Sequence, residues 1–198
     1  MSDFYKTLKG RSQGLYKEKM SKFISFAEPV QSADEAKAVV KRIQNEYHDA
    51  RHVCWAYMIG TAREEYLSSD NGEPSGTAGK PILGQITSFE LTNIVIVVIR
   101  YFGGIKLGTS GLIVAYREAA KLAIEAGEIL ECHEQARLSF TFPYLSMNDV
   151  MKVVKKSDLK VVEQAFDNVC SMTIEADADK APGLRDQFAA IDGTSIIS

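Results

Sequence analysis

The hydrophobic positions of this chain fall into two blocks with different rhythms. In the first, Lys22 to Ala27 (KFISFA) predicts a short strand. Ser32-Ala33-Asp34-Glu35 then predicts a helix start by capping box, Ser32 accepting from the backbone N–H three residues on while Glu35 reaches back. Ala36, Val39, Val40, Ile43 and Tyr47 recur at helical spacing after it. Val53 to Ile59 (VCWAYMI) reads as a strand; Ser68 to Lys80, with its glycines and Pro74, reads as a long loop before a short helix around Pro81 to Phe89. Ile94 to Tyr101 (IVIVVIRY) is β-branched on both faces, which predicts a central strand buried on each side. A glycine turn leads from it into a helix through Leu112, Ala115, Ala119, Leu122 and Ala123, ending near Gly127.

The second block alternates more regularly. Leu138, Phe140 and Phe142 define one face of a strand, and Met147, Val150, Met151 and Val154 mark a helix. Val161 to Phe166 and Val169 to Ala176 predict a hairpin across a two-residue turn, Asp167-Asn168. Leu184 to Ile191 is helical in pattern, and Thr194 to Ile197 is a last strand. The order βαββαβ is the ferredoxin-like split βαβ arrangement. The chain is therefore expected to be α+β in two domains, residues 1–134 and 135–198.

Composition adds little to this division. At 198 residues, 45% hydrophobic and 25% charged, the chain is ordinary globular protein. Its longest strictly apolar run, Ile94 to Ile99, is too short for a bilayer span, and MSDFYKTLKGR has no signal-peptide core, so no membrane partner and a cytoplasmic location are expected. Cys54, Cys132 and Cys170 are far apart and odd in number, which argues for reduced packing cysteines over a disulfide framework or a zinc site. The net charge of -3 does not demand a nucleic-acid partner. Lys6, Lys9, Arg11, Lys17, Lys19 and Lys22 do outweigh Asp3 and Glu18, which reads either as a solvated N-terminal arm or as an electrostatic footprint for RNA or an acidic partner.

The turn after the central strand carries the most specific chemistry. Gly103-Gly104-Ile105-Lys106-Leu107-Gly108-Thr109-Ser110 fits a phosphate-binding loop at every position but one, since Thr109 stands where the loop lysine belongs. Without that charge or a magnesium-binding aspartate, nucleotide hydrolysis is not expected. Anion affinity survives: a helix starting near Thr109 has free N–H donors, with Lys106 and Arg100 near in sequence. The competing reading is that Gly103, Gly104, Gly108 and Gly111 serve a tight turn and close helix–sheet packing.

A second stretch, Asp70-Asn71-Gly72-Glu73-Pro74 followed by Gly76-Thr77-Ala78-Gly79, has the chemistry of a structured turn. Asp70 and Glu73 could act as acid and base with His52 as proton carrier, but an acidic turn more often caps a loop or pairs with an arginine. His48 and His52 stand at i,i+4 without an assigned third metal ligand. Trp55, Tyr57, Tyr101 and Phe102 are candidates for base stacking or for core. No cofactor and no metal are expected.

HVCWAY (His52 to Tyr57), SDNGEPSGTAGKPIL (Ser69 to Leu83) and VVIRYFGGIKLGTSGLIVAY (Val97 to Tyr116) resemble, in order and spacing, the signature blocks of the YigZ/IMPACT family. The resemblance implies an N-terminal βα domain of the kind seen in a small-subunit ribosomal protein and in GHMP kinases. It implies a C-terminal domain like the ferredoxin-like domains of elongation factor G. It also implies a link to translation, since eukaryotic relatives regulate it through protein contacts. The expected function is thus a non-enzymatic binding protein that contacts RNA, the ribosome or a translation factor, with Arg100, Gly103, Gly104, Lys106, Gly108, Thr109, Ser110, Gly111, Asp70, Asn71, Glu73, Thr77 and His52 as its binding residues and a phosphate or other anion as a candidate ligand. The alternatives are a small hydrolase using Asp70, Glu73 and His52, and a protein-only regulatory adaptor.

Overall fold

The computed structural model describes residues 4–198, which divide into two compact units, Phe4–Cys132 and His133–Ser198. The first unit contains β1 (Phe4–Leu8), β2 (Ser12–Glu18), β3 (Ser21–Pro29), α1 (Ala33–Glu46), β4 (His52–Ile59), β5 (Glu65–Ser69), α2 (Gly79–Ser88), β6 (Ile94–Tyr101), α3 (Gly108–Glu125) and, but for its last residue, β7 (Ile129–His133). Five strands form an antiparallel sheet in the order β2-β3-β6-β4-β5, and β1 pairs with β7 in a separate ribbon.

β6 is the centre of that sheet, and the reason is its composition. Ile94, Ile96 and Val98 pack with Phe23, Ala27, Cys54, Ala56 and Met58 under α2 and α3; Val95, Val97 and Ile99 pack with Ile24, Phe26, Val53 and Tyr57 under α1. All six residues from Ile94 to Ile99 are fully buried. Each such side chain contributes about 1.5–3 kcal/mol relative to exposure. The result is three layers, α1 against the sheet against α2 and α3, as the two-faced apolar run requires. The capping box of α1 forms: Ser32 Oγ accepts from the Glu35 N–H at 3.2 Å, while Glu35 reaches one residue further back than expected, accepting from the Gln31 N–H at 2.7 Å.

The basic N-terminal stretch corrects the expectation of a solvated arm. Residues 4–8 and 12–18 are strands, and three of the six basic residues form ion pairs: Lys6 with Glu90, Lys9 with Glu128 and Arg11 with Glu28. Ser12 and Gly14 face α3, where a Cβ on Gly14 would lie 2.6 Å from the backbone nitrogen of Ala123. Helix and strand approach too closely there for any side chain. Asp3, part of the counted charge balance, lies outside the described residues.

The second unit contains β8 (Gln135–Phe142), a single 3-10 turn, α4 (Met147–Lys156), β9 (Lys160–Phe166), β10 (Cys170–Asp177), α5 (Ala181–Ala189) and β11 (Ser195–Ile196). Its sheet runs β11-β8-β10-β9, all neighbours antiparallel, so the expected βαββαβ order closes with the first and third strands at the centre. Leu138, Phe140 and Phe142 share one buried face with Met172, Ile174, Val150, Leu184 and Phe188. The hairpin differs from expectation by one residue. Phe166 pairs with Cys170, so Asp167, Asn168 and Val169 make a three-residue connection, and Cys170 rather than Val169 opens the buried face.

Candidate functional site

The antiparallel pairing of β4 and β6 sets His52 opposite Arg100 at one end of the sheet. β5 ends beside them, Trp55 opposite Ser69, so the acidic loop leaves the sheet at the same end as the turn that follows β6. Arg100 sits on the face otherwise lined by Ile94, Ile96 and Val98, which makes it a buried cation. Its Nη1 donates to Glu73 Oε1 at 2.7 Å, and both side chains are buried, at 7% and 4% exposure. The guanidinium lies over the rings of Phe23 and Phe102, at 5.6 and 5.5 Å from their centroids. Tyr116 of α3 donates its hydroxyl to the same Glu73 oxygen at 2.8 Å.

A buried carboxylate tolerates the loss of water only if paired and hydrogen-bonded, and Arg100 with Tyr116 supplies both. The network extends to Cys54, whose Sγ is 3.4 Å from Tyr116 Oη and 2.9 Å from the Asp70 carbonyl oxygen, which accepts its S–H. Burial pushes the Cys54 thiol up to about 12, with the Glu73 and Asp70 charges adding to the rise against the Tyr116 hydrogen bond. Tyr116 is raised as well, by burial first and then by its Cys54 and Glu73 neighbours. Both groups stay neutral at neutral pH.

Asp70 has a different task. Its Oδ1 accepts from the N–H groups of Ala78 (3.0 Å) and Gly79 (2.8 Å), and its Oδ2 from that of Gly76 (2.8 Å). It therefore caps the start of α2 from across the loop, placing a negative charge at the helix N-terminus, where Ala78 has no side chain to do so. Burial alone would raise the carboxyl, but the three backbone donors and the charge of Lys80 outweigh it and hold Asp70 below the usual carboxylate range. Asn71, in a left-handed conformation at φ 39°, donates to the Val53 carbonyl at 2.9 Å and accepts from His52 Nδ1 at 3.0 Å. Thr77 closes the loop by donating to the Pro74 carbonyl at 2.6 Å.

The glycine turn is held at one point and open elsewhere. A Cβ on Gly103 would come within 2.1 Å of the Met20 carbonyl carbon, so only glycine lets this turn pack on the β2–β3 hairpin; its N–H donates to Ser21 Oγ at 3.2 Å. Gly104 and Gly108 adopt φ of 88° and 73°, the left-handed region that a side chain disfavours. A Cβ on Gly111 would meet only Leu107 side-chain atoms, at 3.1 Å and beyond. α3 begins at Gly108 without a side-chain cap, and Lys106, Thr109 and Ser110 are exposed.

Residues 19–124 match the family model of the Impact N-terminal domain. The chain belongs to the YigZ/IMPACT family. It is 34% identical over 150 residues to an IMPACT family member of Haemophilus influenzae, a match covering 75% of this chain and 73% of that protein. It is 44% identical over 100 residues to the IMPACT family member YigZ of Escherichia coli, covering 50% of this chain and 49% of that one. A crystal structure described only as that of a hypothetical protein superposes over 100% of this chain and 98% of its own, with TM-score 0.76 and 25% identity. The two-domain translational regulator Yih1 aligns over 60% of this chain and 48% of its own, with 24% identity and TM-score 0.39. Of the family's signature blocks in this chain, HVCWAY and SDNGEPSGTAGKPIL supply His52, Cys54 and the capped loop, while VVIRYFGGIKLGTSGLIVAY supplies Arg100, the turn and Tyr116.

The sequence pattern does not single out Tyr116, and it places Cys54 only among reduced packing cysteines. Tyr116 shares the buried face of α3 with Ala115 and Ala119, and a tyrosine at such a core position needs a partner for its hydroxyl, which is the signal that was available. The His48 and His52 spacing does not lie on one helical face, because α1 ends at Glu46 and His52 opens β4. Among the described residues no group of three His, Cys, Asp or Glu side chains is placed to hold a metal ion. Trp55 stacks on Tyr57 at 5.8 Å with Tyr57 buried, and Tyr101 donates its hydroxyl to Asp49 at 2.8 Å. Burial and that hydrogen bond push the Tyr101 hydroxyl up to about 12. Phe102 alone of the four aromatic candidates is largely exposed, at 53%.

Proposed function

We propose that this chain is a non-enzymatic, translation-associated binding protein that uses the Gly103–Gly111 turn to contact RNA or the ribosome. Membership of the YigZ/IMPACT family supports the assignment to translation through what the family resemblance implies, that its eukaryotic relatives regulate translation by protein contacts. The observation that carries the choice of binding over hydrolysis is the state of the acidic loop. Asp70 is saturated by three backbone N–H groups, Glu73 is buried against Arg100 and Tyr116, and His52 Nδ1 is engaged by Asn71. An acid or base must reach a substrate proton, and these carboxylates face the protein's own donors. The turn has the opposite character: Lys106 is exposed, and the first N–H groups of α3 have no side-chain cap. Helix N-termini of this kind favour anions, and a nearby lysine adds to the field.

Co-sedimentation of the purified protein with ribosomes and with free RNA at two salt concentrations tests the reading. Binding that falls steeply as salt rises is expected from phosphate contacts. Hydrolysis of an ester, peptide or phosphoester with a bell-shaped pH profile, lost in Glu73→Gln, would favour the hydrolase instead.

A further inference from the structure

A cavity of about 320 Å³ opens at the junction of β4 and β6, lined by Asp49, Arg51, His52, Arg100, Tyr101 and Phe102. Its size suits one nucleotide. Arg100 is 93% buried in its side chain, and its Nε has no hydrogen-bond partner although Nη1 is taken by Glu73. Such an orphaned donor is uncommon in folded proteins and points to a missing acceptor nearby. Arg51 is exposed at the cavity's edge. Asn71's carbonyl can only accept, so His52 Nδ1 carries the proton in that 3.0 Å bond and Nε2 is the free ring nitrogen.

We propose that this cavity holds one nucleotide of single-stranded RNA, and the inference rests on the RNA-binding reading of the turn. The phosphate lies on Arg51, whose guanidinium fork presents donors suited to phosphate oxygens. The base stacks on Phe102, which is 53% exposed and backed by the Arg100 guanidinium at 5.5 Å, a fixed platform that needs no base-specific contact. Asp49 carries negative charge into the same cavity, which a phosphate-only site would avoid. One of its oxygens holds the Tyr101 hydroxyl at 2.8 Å, and the other is an acceptor for a ribose 2′-hydroxyl. RNA over DNA is the resulting preference. Lys106, four residues beyond Phe102 on the turn, engages a neighbouring phosphate.

Fluorescence anisotropy with a labelled single-stranded RNA octamer and the matching DNA octamer tests this on the full chain. Arg51→Glu is expected to weaken RNA binding by about tenfold or more, the loss of a charge-assisted hydrogen bond. Phe102→Ala is expected to weaken it by about five- to tenfold, with Phe102→Trp restoring it. Asp49→Ala is expected to erase the preference for RNA over DNA. All three positions are exposed, so folding is retained, and circular dichroism checks it. Arg51→Glu and Phe102→Ala binding the octamer like the unmutated protein, while Lys106→Glu weakens it, would overturn the cavity and leave the turn's role intact. An unmutated protein that co-sediments with ribosomes but ignores the octamer would overturn the cavity as well. Loss of both ribosome and octamer binding would instead sink the broader reading.

Discussion

Two loops at one end of the first sheet are built from much the same residue types and use them in opposite ways. The loop from Asp70 to Gly79 turns its polar groups inward: Asp70 caps α2, Asn71 ties down β4, and Glu73 is sealed between Arg100 and Tyr116. The turn from Gly103 to Gly111 is fixed at Gly103 and then leaves Lys106, Thr109 and Ser110 facing solvent. Acidic residues in a loop suggest chemistry and glycines suggest flexibility, yet here the acids are scaffold and the glycines shape an outward surface. Arg100 joins the two, since it stands at the penultimate position of β6 just before the turn and anchors the loop through Glu73.

The largest effect expected from breaking this contrast is on Arg100. Arg100→Ala leaves Glu73 buried without its cation and should cost about 3–5 kcal/mol in chemical denaturation. A loss below about 1 kcal/mol would mean that the loop does not depend on the pair. Gly103→Ala comes next, because its Cβ meets backbone that cannot rotate away. About 1–3 kcal/mol is expected from that overpacking, read by the same melt.

Much of this contrast, though not all of it, was legible in the sequence. β6 declared itself because six consecutive apolar residues can only lie between two layers, and Arg100 stood out as the charge on that strand. The signature blocks pointed to both loops, and the chemistry of an acidic turn pointed to capping or arginine pairing, which is how Asp70 and Glu73 divide the work. β5 was hidden because its residues Glu65-Tyr66-Leu67-Ser68-Ser69 lie at a sheet edge and lack a buried face. β1 and β2 were hidden by the lysines in and between them; Lys6 and Lys9 reach ion partners distant in sequence while Leu8 and Ser12 go inward. Arg51 and Asp49 carry no periodicity at all, so only the strand pairing of His52 with Arg100 brings them to one cavity.

A smaller effect sharpens the role of Asp70. Asp70→Asn keeps the side chain's shape but removes the charge facing three N–H donors, and about 1–2 kcal/mol is expected in a melt at neutral pH. The pH dependence has a definite sign. Because Asp70 is held below its ordinary 3.8 in the fold, its contribution is full above the unfolded value and is lost as pH falls from about 4 through the depressed folded value. Acid melts of the two proteins should converge over that range. Equal acid sensitivity throughout would assign the loop's stability to something other than this carboxylate.

The smallest stability change and the most direct test belong to Lys106. Lys106→Glu should melt within about 0.5 kcal/mol of the unmutated protein, since the side chain is exposed. It should nevertheless weaken RNA or ribosome binding in a salt titration and lower the slope of log affinity against log salt by about one, the loss of one phosphate contact. Unchanged binding by Lys106→Glu at every salt concentration would contradict the outward role of the turn and leave its glycines to packing alone.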